Sequence, residues 1–199
     1  MDPPRRADGT VDFDAWGARL RAKGIQGDLA TRLAEARAGA AESVAEIRVA
    51  ERYRDAGYVV ELVRPDTIHP GRHPDLHLRG PDGSALRGEV KAREPGKPVT
   101  RNSLNARIDE AYDQVKHSAE GNGDIVIDAS EAGPGGLDQA SVESFLKGKM
   151  SGSRTSPVGR LRQVDYLEVT YRAGGVLKRS FMVRTGDGDV NGPFTEILK

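Results

Sequence analysis

The stretch Pro74-Asp75-Leu76-His77-Leu78-Arg79-Gly80-Pro81-Asp82-Gly83-Ser84-Ala85-Leu86-Arg87-Gly88-Glu89-Val90-Lys91-Ala92 decides the fold. Leu76 and Leu78 alternate with Asp75 and His77, the period of a strand with one face turned inward. Gly80 to Ser84 is a strong turn signal. Leu86, Gly88, Val90 and Ala92 then alternate with Arg87, Glu89 and Lys91, so a return strand carries an acid and an amine on one face. The register of such a hairpin predicts Asp75 near Glu89 or Lys91, and a slip of one residue would undo it. Three functional groups would then converge within roughly 5–10 Å. Two carboxylates can hold a hard cation through oxygen, and the ammonium can face an attacked phosphate or the attacking water.

Upstream, residues 1–12 are polar and turn-rich and read as a loose arm. Trp16, Leu20 and Ile25 predict a short helix ending around Gly24. Residues 28–56 are the longest helical pattern, with Gly39 as its break. From Ser43 to Arg54 the inner side is Val44, Ile47, Val49, Ala50 and Tyr53, and Gly57 follows as a cap. Tyr58 to Val63 reads as a strand, and residues 64–74 as a proline-rich loop. Downstream, Asn102 or Ser103 caps a helix with the stripe Leu104, Ile108, Tyr112 and Val115, ending near Gly121. Asp124 to Ala129 is a short apolar strand whose position after a helix favours a parallel crossover. Leu137 to Lys147 predicts another helix, and residues 151–156 a flexible loop. Asp165–Tyr171 and Val176–Val183 make a hairpin about Ala173-Gly174-Gly175. This order means an α/β (or α+β) fold with a mixed central β-sheet flanked by helices. The division expected is an N-terminal helical arm over 1–40 and one domain over 41–199.

Composition sets the outer bounds. The chain has 199 residues, 37% of them hydrophobic and 30% charged, and no cysteine, which excludes disulfides and thiolate metal sites. Thirty basic and thirty acidic side chains cancel, so net charge offers no long-range pull toward nucleic acid. A basic concentration still surrounds the hairpin's end: Lys91, Arg93, Lys97, Arg101 and Arg107 are candidate phosphate contacts. No long apolar run and no leader-like start are visible, so no membrane anchor is expected in this chain. His69, His73 and His77 recur every four positions, but Pro70, Gly71 and Pro74 forbid the helix that would make them a metal stripe. His117 is a candidate general base for a metal-free ribonuclease.

Pro74-Asp75, Glu89-Val90-Lys91 and the helix before them resemble the PD-(D/E)xK nuclease superfamily. Glu46 through Val59 and Asn102 through Ala129 are similar to the C-terminal toxin domains of contact-dependent growth inhibition systems, several of which cleave transfer RNA. The resemblance spans roughly residues 42–130. It implies a restriction-endonuclease-like core and a metal-dependent endonuclease acting on tRNA in preference to DNA. Asp75, Glu89 and the Val90 carbonyl would hold Mg2+ or Mn2+, and Lys91 would be the catalytic lysine. Glu46 takes the family's acidic helix position, with Glu42 and Glu51 as register alternatives. Gln114 and Lys116 resemble helix residues that face substrate, and His77, Arg93, Lys97 and Arg101 would join them. A toxin of this kind implies a cognate immunity protein and delivery into a target-cell cytoplasm as part of a larger protein; otherwise the chain is expected to be cytoplasmic. A restriction- or repair-type DNA endonuclease and a non-catalytic interaction domain are the alternatives.

Overall fold

A computed structural model describes residues 2–64, 73–117, 123–151, 161, 163–185 and 189–198. The described helices are α1 (Phe13–Ala22), α2 (Leu29–Arg37), α3 (Ala41–Asp55), α4 (Arg101–His117) and α5 (Gln139–Met150). The strands are β1 (Gln26–Gly27), β2 (Val59–Leu62), β3 (Leu76–Arg79), β4 (Ala85–Ala92), β5 (Gly123–Asp128), β6 (Val164–Ala173), β7 (Val176–Arg184) and β8 (Val190–Ile197). Pairing is parallel at β1–β2 and β5–β6 and antiparallel elsewhere among the described pairs, with helices against the strands. The fold is therefore α/β with mixed strands. Contacts divide the chain into two compact units, Met1–Gly88 and Glu89–Lys199, a division inside β4 and not after residue 40.

In the first unit the break expected at Gly39 separates α2 from α3, and Gly57 follows the end of α3. Ile47, Val49 and Ala50 are buried as the stripe predicts, while Val44 and Tyr53 are only half-buried. The stripe does not predict that Glu46 and Glu51 of the same helix are also buried. Glu51 anchors α1: Trp16 Nε1 donates to its Oε2 at 3.0 Å, and Arg19 Nη2 reaches the same oxygen at 2.8 Å. Lys23 Nζ lies 2.8 Å from its Oε1 and 2.7 Å from Asp55. Residues 13–23 are thus bound into this unit by a buried carboxylate and a fully buried tryptophan.

The β3–β4 hairpin has the expected turn and pairs Leu76 with Gly88 and Leu78 with Leu86. Leu62 of β2 sits opposite Leu76, and Val60 opposite Leu78, which completes one apolar face. The two-residue β1 was not expected from sequence. It forms because Gly27 has φ +81, and a Cβ there would lie 2.1 Å from the Leu62 carbonyl oxygen. Gly27→Ala is expected to cost about 1–3 kcal/mol, from strain at that φ and the collision with β2, and a denaturant melt reads it.

The second unit buries one core between its helices and its strands. Leu104, Ile108, Ala111 and Val115 of α4 and Val142, Phe145, Leu146 and Met150 of α5 meet Ile125, Ile127, Leu167, Val169 and Tyr171. The α4 cap is Thr100, not Asn102 or Ser103: Thr100 Oγ1 accepts from Ser103 N at 3.1 Å, and Ser103 Oγ accepts from Thr100 N at 2.9 Å. Helix α5 begins two residues later than expected, where Asp138 accepts from Ser141 N at 2.8 Å. The β6–β7 hairpin turns at Gly174-Gly175 as read from sequence. Strand β8 (Val190–Ile197) was not expected from sequence. It exists by pairing with β7, with a register shift between Phe181 and Val183 that absorbs the proline. The loop segments predicted around His69 and beyond Ser151 lie outside the described residues.

Candidate active site

Strand β4 runs from an exposed start to a buried end, and from Arg87 to Ala92 both of its faces are covered. Glu89 is 1% exposed and Lys91 5% exposed. Their two-residue spacing puts them on one face, and Lys91 Nζ donates to Glu89 Oε1 at 2.7 Å. Withdrawing two such ions from water costs several kcal/mol each, and only close pairing offsets it. Val90 between them is fully buried on the other face.

The first-unit candidates have partners of their own. Asp75 lies just before β3 and is half-buried; its N–H donates to the Gly88 carbonyl at 3.0 Å, and its own carbonyl accepts from Val63 N at 2.9 Å. His77 stands across from Glu61 in the β2–β3 ladder, with Nδ1 3.8 Å from Glu61 Oε2. Glu46 is buried between α3 and α2, where Arg32 Nε meets its Oε2 at 2.6 Å. Glu42 is half-buried, and Glu51 is occupied by α1.

The second-unit candidates spread over a loop and a helix. Arg93 is half-buried at the end of β4; its N–H donates to Asp128 O at 2.8 Å and its Nε to Pro98 O at 3.4 Å. Lys97 and Arg101 are exposed. Arg107, counted with them from sequence, is held by Glu110 at 2.8 Å. On α4, Lys116 is exposed and Gln114 half-buried, with a buried Oε1 that accepts no hydrogen bond among the described residues. The His117 side chain and His69 lie outside the described residues.

A polar row in β5 and β6 was missed by the apolar reading of Asp124–Ala129. Asp124, Val126 and Asp128 pair in register with Tyr166, Glu168 and Thr170, opposite the face that meets the helices. Glu168 is fully buried: Tyr166 Oη donates to its Oε2 at 2.6 Å, Thr170 Oγ1 to its Oε1 at 3.1 Å, and Arg179 Nη1 stands 3.8 Å away. Asp128 Oδ1 accepts from Ser130 N at 2.9 Å and so shapes the exit of β5. The alternation of Asp124 and Asp128 around Val126 was the available signal, masked by Ile125-Val126-Ile127.

Among the described residues, no three His, Cys, Asp or Glu side chains form a metal-binding group. The donors named by the motif (two carboxylates and a main-chain carbonyl) are all oxygen, the donor type a small hard cation takes. No described helix is long and apolar enough to cross a membrane. These strands and helices define a mixed α/β protein with a buried acid–lysine pair. No protein-family model matches the chain, and comparison with curated proteins and with solved structures returns no match.

Proposed function

We propose that this chain is a metal-dependent nuclease, acting as a toxin domain on transfer RNA. The observation that carries the reading is the buried Glu89–Lys91 pair, 2.7 Å apart on one face of β4. Charged groups are expensive to bury, and sites that need shifted titration or focused charge are where such expense recurs. Glu89, Asp75 and the Val90 carbonyl would hold the Mg2+ or Mn2+ ion, with Asp75 assigned by the motif. When bound, such an ion lowers the pKa of a coordinated water and neutralises charge building on the phosphate. Lys91 then has two tasks: it orients the carboxylate it now touches, and its ammonium stabilises negative charge developing on the attacked phosphate. Glu46 enters as the helix acid of the resemblance, with His77, Gln114 and Lys116 as substrate contacts. Because Arg32 depends on Glu46, substitution of Glu46 is not a clean test of catalysis.

Transfer RNA is preferred over DNA because the matching segments are similar to tRNA-cleaving toxin domains. The same resemblance brings the immunity protein and delivery into a target cell. A second reading, a non-catalytic interaction domain, draws on the closeness of the same pair: the ammonium already occupies a carboxylate oxygen that a metal would use.

Purified chain incubated with total RNA and with plasmid, with Mg2+ or Mn2+ and with a chelator, separates these readings. The expected result is cleavage within the tRNA fraction that the chelator abolishes. Cutting of plasmid alone would replace the toxin reading with a DNA endonuclease, and inert protein at high concentration would leave the interaction domain.

A further inference from the structure

The loops leaving β4 and β5 are locked together by main-chain bonds. Gly96 N donates to Glu131 O at 2.9 Å, Gly133 N to Lys97 O at 3.0 Å, and Leu137 N to Val99 O at 2.9 Å. The approach is so close that a Cβ on Gly133 would lie 2.1 Å from the Gly96 carbonyl oxygen. Two arginines flank the turn that these loops enclose. Arg93 is tied by its main chain to Asp128 O, and its Nε donates to Pro98 O at 3.4 Å. Arg172, near the end of β6, donates through Nε to Ser130 O at 3.0 Å, with Nη1 3.5 Å from Gly175 O. The Arg93 main chain and the Arg172 guanidinium meet the β5 exit two residues apart, about 7 Å along an extended chain, while the Arg93 guanidinium itself rests on Pro98 O.

Each guanidinium therefore spends its inner nitrogen on a backbone carbonyl. The terminal nitrogens of Arg93 and Nη2 of Arg172 donate to nothing among the described residues, and no described carboxylate pairs with either arginine. Held in this way, Arg93 offers its two terminal nitrogens as a planar fork to phosphate oxygens and Arg172 adds Nη2, with little rotamer freedom left to lose in either. Lys97 is exposed on the same loop, and Arg101 is exposed at the first residue of α4. Glu94, Asp128, Glu131 and Asp138 stand against these four cations, so the formal charges cancel locally and geometry, not net charge, carries the argument. Loops at the carboxyl ends of parallel strands, as at β5 and β6, are also where ligands bind in α/β folds.

We propose that Arg93 and Arg172 form a two-arginine clamp for the phosphodiester backbone of a single-stranded nucleic acid, with Lys97 and Arg101 extending it. The clamp deepens the nuclease reading by adding Arg172, which no sequence signal marked, but its test needs no cleavage. The whole chain is titrated with a short labelled RNA, and with DNA of the same sequence, in chelator over a salt series, read by fluorescence anisotropy. Arg93→Gln and Arg172→Gln are each expected to weaken binding roughly fivefold to tenfold and to lower the salt slope by about one. Arg172→Lys keeps the slope but recovers only part of the affinity, because an ammonium cannot be tethered to Ser130 O through one nitrogen while presenting another to phosphate. Glu94→Gln tightens binding.

Arg172 is exposed, so its variant tests the clamp even if Arg93→Gln impairs folding. Binding of RNA, DNA or both that weakens as described supports the clamp, and loss of cleavage expectations elsewhere leaves that result intact. Wild-type affinity in both glutamine variants overturns it, as does a wild-type protein that binds neither strand.

Discussion

Replacing Lys91 and Glu89 together, as Glu89→Gln with Lys91→Met, is expected to abolish metal-dependent cleavage while leaving the fold standing. The double change is the informative one. A single Lys91→Met would leave a buried carboxylate without its ammonium, and breaking such a pair costs about 3–5 kcal/mol, so loss of activity could merely report unfolding. Removing both charges leaves no lone buried ion, so the cost falls to about 1–3 kcal/mol for the buried amide that has lost its lysine partner. If the pair serves chemistry, cleavage falls by roughly 10²–10³ or more, the scale of losing one group that stabilises transition-state charge. Thermal melts and tRNA cleavage on the same samples read the two quantities separately. A double variant that melts like wild type and still cuts would remove Glu89 and Lys91 from the site. Unchanged binding to a partner with no cleavage in either protein would favour the interaction domain.

Glu51→Gln is expected to destabilise the first unit by about 3–5 kcal/mol at neutral pH. For a chain of this size that lowers Tm by roughly 10 °C. Glu51 is 1% exposed and gathers Trp16, Arg19 and Lys23, so the substitution leaves Arg19 and Lys23 without their shared acid. Burial pushes the Glu51 carboxyl upward, but hydrogen bonds from Lys23, Trp16 and Arg19 outweigh it and hold the pKa below the ordinary glutamate value. A carboxyl depressed in the folded state adds stability above its unfolded pKa, and that stability is lost as pH falls through the folded value. Lys23 works in the opposite direction. Burial lowers it, Asp55 and Glu51 raise it further, and the net rise gives stability that is lost only as pH climbs past the usual lysine range. Unfolding of wild type should therefore show a steep loss on acidification below the glutamate range, and Glu51→Gln should flatten that limb. Parallel slopes in the two proteins would mean that Glu51 does not anchor α1 in solution.

The elements that sequence predicts well are those with a strong period and a strong stop. Leu76, Leu78 and the Gly80–Ser84 turn specify β3 and its hairpin, and Gly39 and Gly57 punctuate α2 and α3 at the observed positions. Elements defined by a neighbour do not show in local pattern. Strand β1 is two residues that exist because β2 accepts them, and β8 crosses Gly192-Pro193 because β7 offers a ladder with an irregular step.

The same contrast holds within the candidate site. Strand periodicity alone places Glu89 and Lys91 side by side, because alternate residues must emerge on one face. It cannot say that they are buried, that Glu46 answers to Arg32, or that Arg172 is tethered to the β5 exit, since each depends on residues distant in the chain. The amino-acid order by itself determined the helices and the strands from β2 to β7, their α/β class and the facing of the acid–lysine pair, through periodicity and turn chemistry that act over a few residues. Only the tertiary structure decided which charges lost water and what met them, because desolvation is set by the elements packed around a side chain and not by its neighbours in sequence.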